Sequence, residues 1–127
     1  MPTAGRILIV EDDFLGAERV RRVLEDAGYD VVGAVGRTAQ ALELAGRHAP
    51  DLAIVDMMLE IDVDGVHTAT ELVRRLGVKV LITTGFPDSV IRRYDLDGLA
   101  CGVLRKPFLD RELLDTVAEC LAPAGAA

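Results

Sequence analysis

A small set of side chains able to do chemistry stands where short apolar runs stop. Glu11 and Asp12 follow Arg6 to Val10, and Asp56 follows Leu52 to Val55. Thr83 and Thr84 close the run from Val78, and Lys106 comes just after Ala100 to Leu104. If the first and third runs are neighbouring strands, their backbones lie about 4.8 Å apart. Asp12 and Asp56 then point into one small space. Two carboxylates about 4 Å apart repel by about 4 kcal/mol at an effective dielectric of 20, so a cation should relieve them. Hard oxygen donors in a partly open site suit Mg²⁺ or Mn²⁺ rather than zinc. Any one of these acids alone reads as a solvated residue or a helix cap. Together, acids at two run ends with a hydroxyl and a lysine at two others point to a site.

The elements that must position this set alternate along the chain. Arg6 to Val10 lacks polar alternation, as expected of a strand buried on both faces. The spacing predicts a helix over Phe14 to Ala27, with Leu15, Val20, Val23 and Leu24 on one stripe and Gly28 ending it. Asp30 to Val35 reads as strand and Thr38 to Arg47 as helix, with Thr38 as N-cap. Leu52 to Val55 is strand, Val66 to Leu76 helix and Val78 to Thr83 strand. A weaker, polar helix is predicted over Asp88 to Asp95. Ala100 to Leu104 is the fifth strand and Asp110 to Leu121 the last helix, with Pro107 helping to separate them. Five strand–helix alternations imply a parallel sheet covered on both faces, wound by right-handed crossovers. Ligands of such sheets bind beyond the carboxyl ends of the strands.

Composition bounds the rest. The 127 residues, half of them apolar, suit one domain with a core of about 6–121 and an Ala/Gly/Pro tail over 122–127. A core of this size needs neither metal nor disulfide. The net charge of −7 argues against a nucleic-acid surface, which carries a basic excess. No apolar run approaches the ~20 residues of a membrane helix, and the start has no secretory pattern, so the expected location is the cytoplasm. On that expectation Cys101 and Cys120 read as reduced thiols in or beside the core.

Val10-Glu11-Asp12, Asp56, Thr84-Gly85 and Lys106-Pro107-Phe108 resemble, in order and interval, the receiver domains of two-component response regulators. The resemblance spans nearly the whole chain. It implies a doubly wound (βα)5, flavodoxin-like three-layer sandwich with parallel sheet order 2-1-3-4-5. It further implies that Asp56 accepts a phosphoryl group from a phosphohistidine on a sensor histidine kinase or a histidine phosphotransfer protein. Asp12, Asp56 and the backbone carbonyl of Met58 would bind Mg²⁺, with Glu11 acting through water. Thr84 and Lys106 would each hold a phosphoryl oxygen, and the Lys106–Pro107 peptide would be cis. These roles are chemically coherent, because phosphoryl transfer needs mainly positioning and charge neutralisation. The downstream protein is not named by the sequence, and a homodimer stays open.

The chain departs from the family's common pattern in three ways. Glu60 stands where a proline is usual, and Gly65 comes one residue late, so the loop Met57 to Asp64 is longer. Met58 flanks the phosphoryl position with a side chain that can neither orient nor activate water, which predicts slow phosphate loss. Val103 replaces the aromatic residue that commonly follows the threonine, so signalling should run through the backbone around Thr84 to Asp88. The 92–94 cluster, Arg92-Arg93-Tyr94, and the Arg74-Arg75 pair read as solvated faces, the former also as a candidate contact surface. Asp13 reads as a cap or solvated acid, His67 as surface, and His48 as a helix C-terminal residue. Gly33 to Gly36 lacks the phosphate-loop pattern and reads as a simple turn. Two rival functions are a degenerate receiver acting as an adaptor and a magnesium-dependent aspartyl-phosphate hydrolase. The retained five-residue set weighs against the first, and Met58 in place of a second aspartate against the second.

Overall fold

In the computed structural model, which describes residues 4–59 and 64–123, strands and helices alternate as expected. The order is β1 (Arg6–Val10), α1 (Phe14–Asp26), β2 (Asp30–Val35), α2 (Thr38–His48), β3 (Leu52–Asp56), α3 (Asp64–Leu76), β4 (Lys79–Thr84), α4 (Asp88–Ile91), β5 (Gly102–Arg105) and α5 (Asp110–Leu121). All strand pairs are parallel, and the sheet order is β2-β1-β3-β4-β5.

The two-residue period of a strand sorts the core into two layers. Leu8, Val10, Ala53, Val55, Val80 and Ile82 pack with Ala41 and Ala45 of α2 and Ala69 and Leu72 of α3. Ile7, Ile9, Leu52, Ile54 and Leu81 pack with Ala17, Val20 and Leu24 of α1 and Leu113 and Val117 of α5. The middle of every central strand is therefore apolar, with no polar alternation to obscure where it stops.

Register then delivers the strand ends to one edge. Val10 pairs with Val55, so Glu11 and Asp56 are the next residues at the same level. Asp56 pairs with Thr83, and Thr84 with Arg105. The alternation places Glu11, Asp56 and Lys106 in continuation of the α1/α5 layer, and Thr84 in continuation of the α2/α3 layer.

Local chemistry sets the helix ends. Asp13 is the N-cap of α1, its Oδ2 accepting the Gly16 N–H at 3.1 Å, which realises one of the two readings of this acid. Gly28, at φ 97°, turns the chain away from α1 into β2. Thr38 is the first helical residue of α2 rather than its cap. Its hydroxyl is instead spent on the Thr68 hydroxyl of α3, 2.5 Å away.

Two further expectations are corrected. The helix expected over Asp88 to Asp95 stops at Ile91. None of its residues is buried, and the Arg93 and Tyr94 amides bond the carbonyls of Val90 and Ile91, tightening the chain into turns. Cys101 and Cys120 are not free thiols but are joined as a disulfide, with their α-carbons 5.4 Å apart. Pairing of β5 with β4 and the return of α5 over the sheet bring the two positions together, which spacing along the chain could not reveal. Glu60 and the tail from Gly125 onward, with Ala124, lie outside the described residues. Among the described residues no helix is long and apolar enough to cross a membrane.

Candidate functional site

The carboxyl edge of the sheet gathers three acids and one lysine. Carboxylate oxygens of Glu11, Asp12 and Asp56 all lie within 4.8 Å of one another. Lys106 Nζ donates to Asp56 Oδ2 at 2.8 Å and to Glu11 Oε1 at 2.9 Å. Asp56 is only 8 % exposed, at the foot of a cleft lined also by Asp13, Met58, Thr84, Gly85 and Phe86.

The backbone holds these groups in place. The Lys106 amide donates to the Thr84 carbonyl at 2.7 Å, and the following Lys106–Pro107 peptide is cis, as the resemblance implied. Asp56 Oδ1 accepts the Met58 N–H at 3.2 Å, and Glu11 Oε2 accepts the Asp13 N–H at 3.3 Å. Thr84 Oγ1 accepts the Phe86 N–H at 3.0 Å, so its hydroxyl proton remains available for a second acceptor. Met58 is 40 % exposed beside the acids. Of the residues expected at the site, Glu11, Asp12, Asp56, Met58, Thr84 and Lys106 are all brought to this edge.

Lys106 is shared between Glu11 and Asp56, with the Asp12 carboxylate beside them. Burial pushes the Glu11 carboxyl up to about 7, reinforced by the neighbouring Asp56 and opposed by Lys106. Burial acts to lower the Lys106 ammonium, but its bonds to Asp56 and Glu11 outweigh this and hold it above its ordinary value. Both shifts have one origin: carboxylates crowded where water is scarce. A hard divalent cation fits such a donor set, because oxygen ligands of like charge are held close before it arrives.

Two residues at the site were not recognised from sequence as parts of it. Gly65 opens α3 against the end of β3, where a β-carbon would fall 1.8 Å from the Asp56 carbonyl oxygen. Its N–H donates to the Met57 carbonyl at 3.1 Å. The glycine was visible in sequence, but its reason, a backbone approach too close for any side chain, was not. Arg19 of α1 reaches across to the segment after Lys106, donating to the Phe108 carbonyl at 2.7 Å and to Asp110 Oδ1 at 2.9 Å. No local signal marks it, since its partners are distant in the chain.

Comparison with known proteins agrees with this fold. The response regulator receiver domain family matches residues 7–118. The transcriptional regulatory protein PdtaR of Mycobacterium tuberculosis is 31 % identical over 112 residues, 88 % of this chain and 54 % of that protein. The DNA-binding response regulator MtrA of Mycolicibacterium paratuberculosis is 33 % identical over 88 % of this chain and 49 % of its own length. The chain thus spans about half the length of the curated relatives it matches. The crystal structure of the signal receiver domain of a modulated diguanylate cyclase from Desulfovibrio desulfuricans superposes with a TM-score of 0.83 at 32 % identity, covering 92 % of this chain and 93 % of that one.

Proposed function

The chain belongs to the response regulator receiver domain family, and from that premise we propose that Asp56 accepts a phosphoryl group in a Mg²⁺-dependent reaction that changes a protein contact. One observation carries the reading: Asp56 lies 2.8 Å from Lys106 and within one cluster with Glu11 and Asp12, at the edge where the strands end. The donor of the phosphoryl group is a phosphohistidine on a sensor kinase or phosphotransfer protein.

In the reaction an Asp56 carboxylate oxygen attacks phosphorus, and the bond from phosphorus to the histidine nitrogen breaks. Lys106 moves its charge from the Asp56 carboxylate to an incoming phosphoryl oxygen. The Thr84 hydroxyl donates to another, while its oxygen goes on accepting the Phe86 N–H. Asp12, Asp56 and the Met58 carbonyl would hold Mg²⁺, with Glu11 acting through water, and the ion would neutralise charge on the phosphoryl oxygens. Met58 presents no group able to deliver water to the aspartyl phosphate, which favours a long-lived phosphorylated state. The protein acts on no substrate but itself.

The signal leaves through the backbone after Thr84. Val103 is 37 % exposed and has no ring to reorient. The Thr84 hydroxyl touches the Phe86 amide, and Asp88 at the start of α4 pairs with Arg105 of β5 at 3.1 Å. A shift of Thr84 toward a phosphoryl oxygen pulls on this short path.

Intact-protein mass after incubation with acetyl phosphate, with and without Mg²⁺, tests the proposal in wild type and Asp56→Asn. The expected result is a gain of one phosphoryl group that needs Mg²⁺ and is lost in the variant. No gain in wild type would instead favour a phosphorylation-independent adaptor.

A further inference from the structure

We propose that Arg19 is a positioning residue for Lys106: it pins the segment that carries the lysine, and so sets how well the site holds a phosphoryl group. The proposal rests on the phosphoacceptor reading above and adds to it a residue on a different element.

The segment 106–109 joins β5 to α5, and its two sides are supported differently. On the sheet side the Lys106 amide is tied to Thr84. On the helix side the Leu109 amide is tied to Glu112 Oε1 at 2.8 Å. Between those ties, Lys106, Pro107 and Phe108 border a cavity of about 360 Å³ that runs inward from Asp56 past Gly16 and Val20 of α1. The Phe108 ring is buried in the core cluster that holds Ala17 and Val20 of α1, while the cavity lies between α1 and the rest of the segment.

Arg19 spans that gap. Its Nη2 carries two hydrogens, and they meet two acceptors, the Phe108 carbonyl at 2.7 Å and Asp110 Oδ1 at 2.9 Å. Its guanidinium carbon also stands 5.2 Å from the centroid of the Phe108 ring. A planar cation does all three at once, where an ammonium could make the two hydrogen bonds but not cover the ring as well. Arg19 binds the Phe108 carbonyl and Asp110 rather than Asp56 or Glu11, so its influence passes through the backbone of Phe108 to Lys106, two residues back. Lys106 must keep Nζ within reach of Asp56 while its charge is shared with a phosphoryl oxygen, and a loosened segment dilutes that geometry.

The test is a double-mutant cycle on the affinity for beryllofluoride, a phosphoryl mimic, at saturating Mg²⁺, read by two-dimensional amide NMR. Arg19→Ala is expected to weaken binding about tenfold when Lys106 is present and to have no further effect in Lys106→Ala, the signature of residues acting as a unit. Arg19→Lys should recover part of the loss. Amide exchange across 106–110, measured with no metal present, should rise in Arg19→Ala and fall back in Arg19→Lys. Arg19 is half exposed, so the variant should fold; Asp110→Ala, which removes one of its partners, provides a second and smaller perturbation of the same kind. Equal affinity in wild type and Arg19→Ala, or an equal loss in the presence and absence of Lys106, would overturn the proposal. Failure of wild type to bind the mimic would instead count against the phosphoacceptor reading itself.

Discussion

At the amino end of the sheet, charges meet partners of opposite sign and the chain is fastened. Arg6 pairs with Asp30 at 3.6 Å, and its amide donates to Asp51 Oδ2 at 2.8 Å. Lys79 Nζ donates to the Cys120 carbonyl at 3.0 Å, and the Cys101–Cys120 disulfide joins the approach to β5 with the end of α5. At the carboxyl end, Glu11 and Asp56 share one lysine with the Asp12 carboxylate close by, and a backbone approach at Gly65 leaves no room for a methyl group. The same strands run between the two ends. The contrast teaches that like charge can be held close at one edge because apolar strands, saturated at the other edge, carry the fold without it.

That contrast can be broken most severely at Gly65. A β-carbon there displaces the Asp56 carbonyl, so Gly65→Ala should lose about 4 kcal/mol of stability, in the range reserved for severe backbone and packing conflicts. It should also lose beryllofluoride binding. Chemical denaturation and titration of the same sample check both. A variant of wild-type stability would mean that the approach is easily relaxed.

Next in size is the disulfide at the opposite end. Closing a loop of 19 residues' separation confines the unfolded chain by about 3 kcal/mol. Cys101→Ser with Cys120→Ser should lower the denaturation midpoint accordingly while leaving phosphoryl uptake unchanged. A fall in uptake at conditions where the variant is fully folded would show that the two ends are coupled rather than separate.

The charge crowding itself predicts a pH dependence. The folded protein holds the Glu11 proton up to about pH 7, whereas an unfolded chain releases it near 4.5. The stability that comes with this bound proton is fully present below pH 4.5 and is lost as pH rises through 7. Metal-free wild type should therefore weaken across that window more than Glu11→Gln does, as read by urea titrations in chelator. Parallel curves would remove Glu11 from the explanation.

The smallest effect expected concerns a rate. Met58→Asn introduces a side chain able to hydrogen-bond an attacking water and should speed loss of the phosphoryl group about tenfold, less than the ~10²-fold or more of a general base, because an amide orients water without taking its proton. Sampling phosphorylated protein over time by mass measures it, and an unchanged decay would show that Met58 does not limit the reaction.

How far these features were legible in the sequence depends on how locally they are encoded. β1, β3 and β4 are apolar runs with abrupt polar ends, so both the strands and the residues they deliver could be read directly. The 2-1-3-4-5 order came from the family resemblance, since the runs alone do not say which strands are neighbours. α4 was overextended because polar composition with a few apolar positions suits a helix and a series of turns equally well. Only burial decides, and no residue of this helix is buried. The cysteines were misjudged because compartment was used to infer redox state, while their adjacency is created by β4–β5 pairing and the fold of α5. Arg19 and Gly65 share that character: one acts across a long sequence separation, the other through a backbone oxygen of another element.

The central claim is that Asp56, among several acids at one edge, is the residue that bears the phosphoryl group. Borohydride reduction of acetyl-phosphate-treated protein, followed by peptide mass spectrometry, tests it most directly, because reduction converts an aspartyl phosphate to homoserine. Homoserine at position 56 alone, formed only with Mg²⁺ and with Lys106 intact, is the predicted result. Reduction at Asp12 or Glu11 instead, or at no residue while the protein still gains phosphate, would contradict the account.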